Sequence, residues 1–110
     1  MHEVKLGTPE WTFTPEFDDN KANSTPGTVK LRLLTVEEQE ECVPFGGGKI
    51  DRVQVFKFGV VEFNGWGLDG KEIKTADDVL LAQGRLYGLF IETWAEITNK
   101  LYLTEDEEKN

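Results

Sequence analysis

The stretch RLYGLFIETWAEITNKLYL, residues 85–103, carries apolar side chains at the period of an α-helix and decides how the rest of the chain is read. Leu86, Phe90, Trp94, Ile97 and Leu101 recur at spacings of four, four, three and four, which sets them in one stripe; Leu89, Tyr87, Ile91 and Ala95 widen it on both flanks. Glu92, Glu96, Asn99 and Lys100 fall on or near the opposite, wet side, with Glu96 and Lys100 at the supporting i,i+4 spacing. The pattern predicts a long amphipathic helix over 85–103. Its apolar band is wider than one packing surface needs, so the flank formed by Tyr87 and Ile91 is a candidate contact for a partner.

Before that helix, Thr75 and Asp78 have the spacing of a capping box, and Val79, Leu80 and Leu81 follow as a short helix that should stop near Gln83-Gly84. Two turn signals, Asn64-Gly65 and Asp69-Gly70, bracket Trp66 and Leu68 and predict a tight connector anchored by an aromatic side chain. Residues 49–64, KIDRVQVFKFGVVEFN, admit two readings. Helical spacing selects Ile50, Val53, Phe56, Val60 and Phe63, whereas the β-branched and aromatic content favours strand; the apolar face and Asp51 at the start favour a helix over four turns.

The N-terminal part reads as extended. VKLRLL, residues 29–34, alternates with period two, so Val29, Leu31 and Leu33 face one side and Lys30 and Arg32 the other. Trp11, Phe13 and Phe17 can rest on a core as an edge strand, because Pro15 lacks the N–H that a central strand requires. Residues 18–27 read as a loop. Thr35 and Glu38 form a second capping box ahead of an acidic helix running to about Cys42, which Pro44 and Gly46 to Gly48 end. These pieces predict an α+β protein: an extended or β segment over about 10–34, then a mainly helical part closed by the long helix. The expected organisation is a single small domain with a loose N-terminal arm (1–27) and a disordered acidic tail (104–110).

Composition narrows the function classes. Twelve basic against twenty-one acidic residues give a net charge of −9, and the cations are scattered singly, so no nucleic-acid partner and no anionic membrane surface is expected. MHEVKLGTPEW holds no apolar run of signal-peptide length and no segment is long enough to span a bilayer, which places the chain in a reducing cytoplasm. Cys42 is the sole cysteine and His2 the sole histidine, far from anything that could hold a catalytic geometry. No catalytic residue, metal site or cofactor is therefore expected. The glycines before Lys49 lack the ending that a phosphate-binding loop requires and read as a hinge. Trp11 and Trp66 stand in loop contexts and join Tyr87 and Ile91 as candidate partner-binding residues.

Leu34-Thr35 with Glu38, Val60-Val61-Glu62-Phe63-Asn64, Asp69-Gly70-Lys71, and Leu103-Thr104-Glu105 with Glu107 to Asn110 follow one another in an order that resembles a recurrent layout of small proteins of tailed bacteriophages and prophages. The likeness covers roughly the last three-quarters of the chain; Gly46 to Gly48 and Gly65-Trp66-Gly67 depart from it. It implies a tail assembly chaperone-like protein that holds a tape-measure or other tail protein in the host bacterial cytoplasm. The alternative it implies is a structural virion component, a head–tail connector, neck or minor tail subunit, with homo-oligomerisation open in either case.

Overall fold

The computed structural model describes residues 1–3, 9–43 and 48–109, the last eight of these by backbone alone. The fold is α+β, as expected from the patterning. Strands β1 (Glu10–Phe13), β2 (Thr28–Arg32) and β3 (Val60–Asn64) form an antiparallel sheet in the order β1-β2-β3. β2 lies at its centre, in keeping with its strict alternation. In the register, Phe13 is opposite Val29, which is opposite Phe63, and Trp11 is opposite Leu31, which is opposite Val60. These rows make the face that enters the core, with Val29, Leu31 and Phe63 buried. Glu10, Thr12, Lys30, Arg32 and Glu62 occupy the alternate positions, the division of a sheet with one wet face.

The helices are α1 (Val36–Glu41), α2 (Arg52–Gly59), α3 (Ala76–Leu80) and α4 (Tyr87–Lys109). Both capping boxes form as the spacings predict. Thr35 Oγ1 accepts from the Glu38 amide while Glu38 accepts from the Thr35 amide, and Thr75 and Asp78 repeat the exchange before α3. α2 and α4 cover the sheet. Phe56 of α2 meets Phe90 of α4 edge-on at 5.0 Å between centroids and Phe63 of β3 at 6.1 Å, so three elements share one aromatic cluster. Leu89 and Ile97 of α4 are fully buried beside it.

The helix expected over four turns of residues 49–64 is corrected by the structure. Asp51 is the N-cap, accepting from the Gln54 amide, and the helix ends at Gly59, where the chain passes directly into β3. A β carbon on Gly59 would lie 2.6 Å from Ile97 Cδ1, so α2 and α4 approach closely only because this residue has none. Val53, assigned to the inward face, is largely exposed. The misreading has a geometric origin. Lys30 pairs with Glu62 but Leu31 pairs with Val60, leaving Val61 as the extra residue of a β-bulge. The bulge turns both Val60 and Phe63 inward three residues apart, a spacing that imitates a helix.

Residues 65–74 are more regular than a connector. β4 (Trp66–Leu68) and β5 (Lys71–Ile73) make a hairpin, and Asp69 and Gly70 both have positive φ, 51° and 82°, as the favoured two-residue turn demands.

The N-terminal arm is not loose from Pro9 onward. β1 is an edge strand, Pro15 is buried, and a 3-10 segment follows over Phe17–Ala22. Asn20 holds this region together: its Nδ2 donates to the Pro15 and Gly27 carbonyls and its Oδ1 accepts from the Gly27 amide, all within 2.7–2.8 Å. At the other end α4 continues through Lys109 instead of giving way to a disordered tail after Leu103.

Candidate interaction surface

α4 has three working faces. Its core face carries Leu86, Leu89, Phe90, Thr93 and Ile97, all buried. Thr93 Oγ1 and Trp94 Nε1 are enclosed there with no hydrogen-bond partner among the described residues.

The second face binds the N-terminal segment, and it uses the side chains expected to be wet. Glu92 accepts from the backbone amides of Glu16, at 2.9 and 3.0 Å, and of Phe17, at 3.2 Å. It thereby supplies the cap that the 3-10 segment lacks locally. Glu96 accepts from the Trp11 indole N–H at 2.9 Å, and the Lys100 ammonium stands 5.9 Å from the centre of the same ring. Trp11 is thus half-buried and engaged within the chain. Trp66 is engaged as well: its ring lies over Gly27, its centroid is 6.4 Å from that of Phe17, and its N–H donates to the Thr28 carbonyl at 3.3 Å. Two of the four candidate contact residues are therefore braces of the fold.

The third face holds the other two candidates. Tyr87, Ile91, Trp94, Thr98 and Leu101 follow at spacings of four, three, four and three, one seam along the helix. Tyr87 is 53% exposed with its ring 5.8 Å from that of Phe90, and Ile91 and Trp94 are half-buried. The Arg52 guanidinium of α2 stands 5.8 Å from the centre of the Trp94 ring. Leu81, just after α3, is 80% exposed.

Further along the seam Thr98 and Leu101 form one wall of a shallow open cavity. Gln39, Cys42 and Val43 form a second wall, and Leu34, Ile50 and Val55 complete the lining. Its polar groups are already used, since Gln39 Nε2 donates to the Leu34 carbonyl and Thr98 Oγ1 to the Trp94 carbonyl, so the lining offers carbon and sulfur to a visitor. Burial pushes the Cys42 thiol pKa up, and the carboxylates of Asp51, Glu41 and Glu38 push it further in the same direction. The thiol is held protonated and inert as a nucleophile. The cavity left no mark in the sequence, because its walls come from positions 34 to 101.

Among the described residues no three or more His, Cys, Asp or Glu side chains are grouped so as to hold a metal ion, and no helix is long and apolar enough to cross a membrane. Of the glycine run before Lys49, Gly46 and Gly47 lie outside the described residues with Pro44 and Phe45; Lys49 itself is exposed. The chain matches no protein-family profile, no curated protein sequence and no solved structure.

Proposed function

We propose that this chain is a non-enzymatic interaction protein of bacteriophage tail morphogenesis, a tail assembly chaperone-like holder of a tape-measure or other tail protein in the host cytoplasm. The observation that carries the interaction reading is the seam of Tyr87, Ile91 and Trp94, apolar side chains left at the surface of a helix whose opposite flank is occupied by the chain's own N-terminal segment. An acidic exterior suits such a role, keeping the chain and its client soluble while the apolar seam makes the contact. The phage assignment rests on the order of the Leu34-Thr35, Val60 to Asn64, Asp69-Gly70-Lys71 and Leu103 to Asn110 motifs.

Co-expression with the neighbouring reading frames followed by pull-down tests the role directly: a tail or tape-measure protein should be retained. Ile91→Glu should release it while circular dichroism still reports a folded chain. Unfolding of that variant would return Ile91 to the core, and recovery of the wild-type chain in purified mature particles would replace the holder with a virion subunit.

A further inference from the structure

Resting on the reading of this chain as an interaction protein, we infer that the cavity between α1, α2 and the distal part of α4 receives one apolar side chain from a basic amphipathic segment of the partner. Two independent observations converge on it. The first is apolar exposure at the rim: Val36 and Val43 are 76% and 41% exposed, and they share with Gln39 one face of α1, at i, i+3 and i+7. Ile50 and Leu101, half-buried, continue that apolar surface into the cavity, whose own polar atoms are satisfied internally. An apolar group settling there leaves no donor or acceptor stranded.

The second observation is charge. Between Val36 and Asp51 the chain carries Glu37, Glu38, Glu40, Glu41 and Asp51 against Lys49 alone. Glu38 is neutralised by Arg32, whose guanidinium donates to it at 2.9 Å, and Arg52 is held over Trp94. The remaining carboxylates are exposed, and their field reaches the cavity, where those of Asp51 and Glu41 act on Cys42. A visitor bearing Lys or Arg beside its apolar anchor is drawn in, and an acidic one is repelled. A second copy of this chain, with the same charge of −9, brings like charge to the same rim and is disfavoured.

Two synthetic helical peptides with the same leucine stripe, one with lysine and the other with glutamate at the remaining positions, provide the probes. Titrated into the isotope-labelled full chain, the lysine peptide should shift the amide resonances of Gln39, Val43, Ile50 and Thr98 and weaken steeply with added salt. The glutamate peptide should shift none of them. Val43→Arg should lower affinity for the lysine peptide by about tenfold or more. Should that variant melt early, Val36→Arg, at a position 76% exposed, carries the same test. Equal binding of both peptides, shifts centred on Tyr87 and Ile91 alone, indifference to both arginine variants, or dimerisation through the cavity would each overturn the assignment. A tail protein retained by Val43→Arg but lost by Ile91→Glu overturns the cavity and leaves the proposed function standing. Cavity-specific peptide binding by a wild-type chain that retains no tail protein does the reverse.

Discussion

A methyl group at Gly59 would press on Ile97, a side chain with no exposed surface to move into. Overpacking of this kind costs about 1–3 kcal/mol, and Gly59→Ala should lower the denaturation midpoint accordingly. Ile97→Val removes the Cδ1 atom that the new methyl would strike first. On its own it should be mildly destabilising, yet in the Gly59→Ala background it should restore stability, a coupling that a double-mutant cycle in urea reads directly. Gly59 was visible in the sequence only as a residue that weakens helix and strand alike, because its partner stands 38 positions downstream. Asn20 was less legible still. It looked like any polar residue of a Pro- and Ser-containing loop, since the groups it binds are backbone carbonyls and an amide, which carry no side-chain signature. Val29 and Leu31 were readable because alternation on a sheet with one wet face repeats at every second residue.

Elements were legible where their signals are local. Both capping boxes close over four consecutive residues, so spacing alone placed the starts of α1 and α3. The α2–β3 segment was not, because its true boundary is set by the bulge at Val61 and by the contact of Gly59 with α4, both tertiary facts. The first helix also carries a pH signature. The Arg32 guanidinium, donating to Glu38, holds the Glu38 carboxyl down at about 2, with the Thr35 amide assisting against partial burial. A carboxyl depressed in the folded state lends stability that is complete above its ordinary value of 4.5 and is lost as pH falls towards 2. Unfolding free energy measured across that window should therefore drop more steeply in the wild type than in Glu38→Gln, which has no such group to protonate. Parallel curves would show that the pair contributes nothing. Asp69, lowered by its hydrogen bonds from Arg85, and Asp78, lowered by the Lys74 and Thr75 amides, act in the same direction and are common to both proteins.

Over the whole molecule, the candidate surface was half legible. Tyr87 and Ile91 followed from a helical band too wide for one contact, and the structure leaves Tyr87 exposed and Ile91 half-buried. Trp11 and Trp66 misled, because a loop context in sequence hides the carboxylate and the glycine that receive them. The polar attachment between the N-terminal segment and α4 can be cut without touching the core. Replacing Glu92 and Glu96 together by Ala should cost about 1–2 kcal/mol and accelerate hydrogen exchange at the amides of Glu16 and Phe17. Exchange in the aromatic cluster of Phe56, Phe63 and Phe90 should change far less, and a uniform rise across the molecule would mean that the attachment is integral to the core.

That attachment also orders events during synthesis. Glu92 leaves the ribosome 76 residues after Glu16, and Glu96 follows Trp11 by 85. At about 5–20 residues per second the Trp11 indole waits roughly 4–17 s for its carboxylate. The β1–β2 ladder can assemble early, but the apolar side of the sheet stays uncovered until α4 emerges. The nascent chain is therefore at its stickiest just before completion, and a late pause in translation would be the moment at which it aggregates.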